Sequence, residues 1–244
     1  MDNLDNDAAT RQALFPATLW SAIVAAREPD TPVALAALER LAQAYWRPLY
    51  AFLRRRGADH DTAADRVQGF FAYLLSRDFL RDVRPGEGRF RNFLLVAFRR
   101  WLRDQHDRTQ AVKRGGGAVL LPLDELETLR LEPAVADTDT PDVAFERAWA
   151  RDLFARAFAQ LAERWSERAA LFAALKLSLD GSPEAETHAA IGGRLAMSEG
   201  AVGKAAYDLR QQFAATIRAE IRATVVDAAE VEEELRHLVR LLRQ

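Results

Sequence analysis

Apolar residues recur at three- and four-residue spacing along nearly the whole chain, and no stretch alternates apolar with polar residues as a half-buried strand does. That pattern predicts an all-α protein. Thr18 can cap a helix through Ala26. Thr31-Pro32 opens the next, with a capping hydroxyl and a proline at the first turn. It carries Leu35, Leu38, Leu41, Ala42, Tyr45, Leu49, Phe52 and Leu53. Pro48 marks a place for a kink or restart, and Gly57 a stop. His60-Asp61 starts a helix bearing Ala63, Val67, Phe70, Phe71, Leu74 and Leu75. After the loop Arg84-Pro85-Gly86-Glu87-Gly88, a long helix from Phe90 turns Phe93, Leu94, Ala97, Trp101 and Leu102 inward.

Helical order breaks at Lys113-Arg114-Gly115-Gly116-Gly117. Pro122, Pro133 and the acidic run before Pro141 mark a linker. Its stretch Val119 to Leu131 is apolar enough to dock on a domain. Beyond it, Phe145, Trp149, Leu153, Phe154, Ala157, Phe158 and Leu161 give a strong stripe, and Leu171, Leu175 and Leu179 the next. A charged amphipathic helix, Asp227 to Arg243, closes the pattern with Val231, Leu235, Leu238, Val239 and Leu242 on one side. The expected organisation is two helical domains, 17–112 and 142–223, joined by a flexible linker at 113–141, plus a C-terminal helix at 224–244.

Several function classes fall away. No run of 18 apolar residues is present, so no membrane span is expected. The acidic stretch Met1 to Asp7 lacks the apolar core of a secretory signal. The chain has no cysteine, which excludes disulfides and cysteine-bound metals and fits a cytoplasmic protein. His60, His106, His188 and His237 do not stand at zinc-ligand spacing. Gly115–Gly117 follows a helix instead of opening one, so it is no phosphate loop. Neither cofactor, metal nor catalytic group is expected; an unrecognised enzyme is the remotest reading.

The charge pattern is more informative. The net charge is −2, yet the window Arg81 to Arg114 holds ten basic residues against four acids, a local excess of six. Phe90, Phe93, Phe98 and Trp101 interleave it. Cations gain affinity for nucleic acid by releasing phosphate counterions. Helical periodicity sends Phe90, Phe93, Ala97 and Trp101 to the core and leaves the arginines to face a polyanion. A second signal lies around Met197. Ile191 and Leu195, a short turn, then Ala201, Val202, Ala205 and Leu209 have helix-turn-helix spacing, with Ser198 as the cap of the second helix.

Ordered motifs join these signals: Tyr45-Trp46-Arg47-Pro48-Leu49-Tyr50-Ala51-Phe52 with Arg54-Arg55-Arg56-Gly57; Asp65-Arg66-Val67-Gln68-Gly69-Phe70-Phe71; Gly88-Arg89-Phe90-Arg91-Asn92-Phe93-Leu94-Leu95; Asp107-Arg108; Lys113-Arg114-Gly115-Gly116-Gly117; Met197-Ser198-Glu199-Gly200-Ala201-Val202; and Glu232-Glu233-Glu234-Leu235-Arg236-His237-Leu238. In this order the chain, from about Leu19 to Leu242, resembles the extracytoplasmic-function sigma factors, the promoter-recognition subunits of bacterial RNA polymerase, in a branch with a C-terminal extension. The resemblance implies core RNA polymerase and promoter DNA as partners, and an anti-sigma factor or other protein inhibitor. It implies a core-polymerase contact at Asp65, Gln68 and Phe70. It implies minus-ten DNA contacts at Arg89, Arg91, Arg99, Arg100, Arg103, Asp104, Arg108, Lys113 and Arg114. It implies minus-thirty-five contacts at Ser198, Glu199, Gly200, Ala201, Lys204 and Arg210.

Three departures from the family pattern stand out. Gly69 takes the place of an acid, and Arg100 that of an asparagine. After the Ala201-Val202 step, as far as Gln212, the recognition helix carries only Lys204 and Arg210 as cations beside Gly203, Ala206, Asp208, Gln211 and Gln212. That last departure supports an alternative: a sigma-derived regulatory or protein-binding module that has lost upstream promoter recognition. A helix-turn-helix repressor or activator working without core polymerase is a further rival.

Overall fold

The computed structural model describes residues 32–74, 89–112, 139–179, 185–225 and 227–243, with the side chains of 32–38 and 108–112 left undescribed. Among the described residues there are eight α-helices and no strand. They are α1 (Pro32–Arg55), α2 (His60–Leu74), α3 (Phe90–Val112), α4 (Pro141–Arg164), α5 (Ala169–Leu179), α6 (His188–Leu195), α7 (Glu199–Arg222) and α8 (Val231–Arg243). The expected helix at 18–26, the loop at 84–88 and the linker segment 113–138 lie outside the described residues.

Local signals set the helix ends. Helix α1 begins at Pro32 and runs through Pro48 as one helix, so the proline does not restart it. It stops at Gly57, whose φ of +84° suits a residue without Cβ. There Ala58 N–H donates to Leu53 O at 3.1 Å and Gly57 N–H to Arg54 O at 3.0 Å, which satisfies the last carbonyls. The α2 cap is Asp59, one residue before the expected start; its carboxylate accepts from Thr62 N–H at 2.7 Å. Those hydrogen bonds hold the Asp59 carboxyl below its ordinary pKa. Thr140 caps α4, with Pro141 in the first turn.

The buried stripes assemble two apolar cores. The first takes Tyr45, Leu49 and Phe52 from α1, Val67 and Phe70 from α2, and Phe90, Leu94, Phe98 and Trp101 from α3. Phe70 lies 4.8 Å from Phe98 and 5.8 Å from Trp101, ring centre to ring centre. Phe98 takes the inward place expected for Phe93 and Ala97, which are only partly buried. The α3 stripe therefore advances by four, four and three residues. The same core also contains Phe145, Trp149 and Leu153 of α4, Ile217 and Ile221 of α7, and Leu238 and Leu241 of α8. Tyr45 stacks on Phe145 and Trp149 at 6.5 and 6.4 Å. Residues from both expected domains and the tail thus share one core, and the boundary expected between 17–112 and 142–223 does not divide the packing.

The second core lies under the remaining helices: Leu161 and Trp165 with Leu171, Phe172 and Leu175, closed by Ile191, Val202, Ala205, Ala206 and Leu209. Helices α4 and α7 each reach both cores, in opposite chain directions, and so run antiparallel. Polar pairs stitch them together: Gln160 donates to Glu220 at 2.7 Å and Trp165 Nε1 to Gln212 at 2.8 Å. This antiparallel pair connects the α3 surface to the helix-turn-helix.

Candidate nucleic-acid interface

Helix geometry divides the arginines of α3. Burial of Leu94, Phe98 and Trp101 leaves Asn92, Val96, Arg100 and Arg103 on the opposite face. Arg100, Arg103 and Asp104 are exposed, and neither arginine has an ion-pair partner among the described residues. Val96, 63% exposed, stands one turn before Arg100. Sequence reasoning passed over Val96. The stripe defined by Leu94, Phe98 and Trp101 would have placed it outward. Arg99 lies elsewhere: it pairs with Asp142 at the start of α4, and its guanidinium sits 5.4 Å from the centre of the Phe52 ring.

Arg89 and Arg91 were expected to face DNA, and the fold turns both toward protein. Arg91 is 1% exposed. It pairs with the fully buried Glu234 of α8 and stands 3.8 Å from Glu146 of α4. Its guanidinium lies 5.0 Å from the centre of the Trp149 ring. Burial pulls its pKa down to about 10, opposed by the Glu146 carboxylate. Arg89 meets Glu234 at 2.8 Å and Glu233 at 3.2 Å. Phe90 N–H donates to Thr224 O at 3.0 Å, tying the first turn of α3 to the end of α7. His237 on α8 adds a 3.0 Å contact to Glu146.

The acidic run of α8 is therefore not wholly a solvated face. Val231, Glu234, Leu238 and Leu241 point inward, while Leu242, expected inside, is exposed. A buried carboxylate is costly unless paired, and two arginines supply the pairing.

The helix-turn-helix spacing of the sequence becomes α6, a turn and α7. Thr187 caps α6 by accepting from Ala190 N–H at 3.2 Å, and Ser198 caps α7 by accepting from Ala201 N–H at 3.2 Å. Ala196 adopts φ +55° in the turn. Gly192 is required by close approach: a Cβ there would meet the Met197 carbonyl oxygen at 2.6 Å. Ile191, Val202, Ala205 and Leu209 anchor the pair. Ser198, Glu199, Gly200, Ala201, Lys204 and Arg210 are all exposed. Tyr207, 61% exposed, shares the outer face with Lys204 and Gln211. It was missed because a tyrosine in an amphipathic stretch reads as core. Its spacing from Val202, Ala205 and Leu209 places it outside.

On α2, Asp65 is exposed and Gln68 half-buried, whereas Phe70 is fully buried under Phe98 and Trp101. Phe70 therefore supports the helix instead of meeting a partner from its surface. A Cβ on Gly69 would stand 3.2 Å from the Trp101 indole, which gives a packing reason for the missing acid. Of the remaining candidates, Arg108 lies on α3 without a described side chain, and Lys113 and Arg114 lie outside the described residues. No group of His, Asp and Glu among the described residues could hold a metal ion, and no described helix is long and apolar enough to cross a membrane. No family model, curated protein or solved structure matches this chain.

Proposed function

We propose that this protein is a promoter-recognition factor of the sigma type, acting without chemistry of its own. It binds core RNA polymerase through the exposed face of α2 around Asp65 and Gln68. It engages the promoter strand through α3, and it offers the start of α7 to the upstream duplex. The observation that carries this reading is the pairing of two exposed features in one helical protein. One is the α3 face with Arg100 and Arg103, and the other is the α7 N-terminus presented by a capped helix-turn-helix. Backbone amides and Ser198 at a helix start suit phosphate and base-edge contacts. Few cations follow, so the duplex contact of α7 is weak. The greater share of promoter affinity then falls to α3. A linker role for 113–141, a cytoplasmic location and an inhibitor protein belong to this proposal through the family resemblance; the two helical units it implies would be packed on one another through the shared core.

Run-off transcription with core polymerase and a promoter library tests it. Promoter-dependent transcripts are expected only when the protein is added. Stable core binding without any such transcript would favour the second reading, a sigma-derived protein-binding module. The engagement of Arg89, Arg91 and Arg99 by internal carboxylates gives that reading its support. Tight duplex binding without core polymerase in a gel shift would point to an independent repressor or activator.

A further inference from the structure

Three arginines of the α3 segment are answered by carboxylates from elsewhere in the chain. Glu234 and Glu233 of α8 meet Arg89 and Arg91, and Asp142 of α4 meets Arg99. A carboxylate and a phosphate oxygen make the same charge-assisted contact with a guanidinium. We infer that α8 is a displaceable latch, its glutamates holding Arg89 and Arg91 in place of the phosphates of single-stranded DNA. The inference rests on the promoter-binding reading and adds its regulation.

The seat of α8 supports displacement. Its inward stripe contains Val231, Leu238 and Leu241, yet Glu234 interrupts it at a position as fully buried as Leu238. A leucine there would bury apolar surface at no charge-desolvation cost. The carboxylate makes docking conditional on Arg89 and Arg91. When those two cations take phosphates, Glu234 loses both partners and cannot remain buried without penalty. The contact and the competing ligand therefore exclude each other, which is how differential binding shifts a two-state equilibrium. The outer edge of α8 is held by Arg218 of α7, 2.5 Å from Glu232; both residues are exposed, and Glu232 pairs with Arg218, leaving Arg89 and Arg91 to Glu233 and Glu234.

The chain has no cysteine, so Arg218→Cys/Glu232→Cys gives a single pair for a disulfide-containing bismaleimide. The cross-link pins α8 to α7, and reduction releases it in the same molecules. The probe is a fluorescein-labelled, mixed-sequence single-stranded oligonucleotide of about 20 nucleotides at low salt. The locked protein is expected to bind about tenfold more weakly than the reduced protein, the effect of withholding the two phosphate contacts of Arg89 and Arg91. Circular dichroism melts verify that both forms are folded. In the full chain, Glu234→Gln is expected to tighten binding, and Arg89→Ala to abolish that gain. Equal binding by locked and reduced protein would overturn the latch while leaving the nucleic-acid reading intact. No binding by either form would overturn the latch, and promoter-dependent transcription lost as well would overturn the nucleic-acid reading with it.

Discussion

At the start of α3 cations are dense and engaged; at the start of α7 they are sparse and open. Arg89 and Arg91 are drawn into a junction with Glu146, Glu233 and Glu234, under the cover of α8. Around Ser198 no buried charge occurs among the described residues, and the unit is held by caps, a tight turn and small residues against Leu161 and Trp165. The difference teaches that charge density along a sequence is a poor map of which cations a fold leaves open. What matters is which arginines the helix period leaves outside. On α3 those are Arg100 and Arg103. Arg89 and Arg91 are taken up by the carboxylates of α8.

The contrast can be broken hardest at Glu234. Glu234→Ala leaves Arg91 buried without its nearest carboxylate and should cost about 3–5 kcal/mol in thermal or denaturant melts. Glu233→Ala, on an exposed side chain, should stay within about 0.5 kcal/mol. Equal effects would remove the buried junction from the account. In the helix-turn-helix the sensitive atom is a Cβ. Gly192→Ala should destabilise by about 1–3 kcal/mol, since the Met197 carbonyl must move. Gly193→Ala, with open space around it, should stabilise α6 by up to about 1 kcal/mol. Paired melts of the two variants check the sign reversal.

Ser198→Ala should cost about 1 kcal/mol and raise amide exchange at Ala201, the residue whose N–H the hydroxyl accepts. The smallest effect concerns acid. The Arg218 hydrogen bond holds the Glu232 carboxyl below its ordinary value of 4.5. Its contribution is complete above 4.5 and fades as pH falls through the lowered folded value. Amide exchange in α8 should therefore rise in that acid window, and less so in Glu232→Gln.

The all-α class, the stop at Gly57 and the Ser198 cap were legible because each depends on local chemistry. The fate of Arg91 was not legible. Its inward turn depends on Trp149 and Glu234, 58 and 143 residues away along the chain. The burial of Glu234 is signalled only faintly: it falls on the stripe Val231, Leu238 and Leu241, but three consecutive glutamates read as a solvated face. The choice of Phe98 over Phe93 turned on a one-residue shift in helical phase. Phe70 kept its predicted helix and changed its role, because the Phe52–Phe98–Trp101 cluster needed a ring at that place.

The central claim is that the outward arginines of α3 engage the promoter strand in a complex with core polymerase. Arg100→Ala/Arg103→Ala removes two exposed charges that have no ion-pair partner among the described residues, so stability should change by less than about 0.5 kcal/mol per residue. Run-off transcription and core binding should be measured side by side for the wild type and this variant. The account predicts unchanged core binding with transcription lost, and a salt slope of promoter binding reduced by about two. Undiminished promoter-dependent transcription by the variant would contradict it.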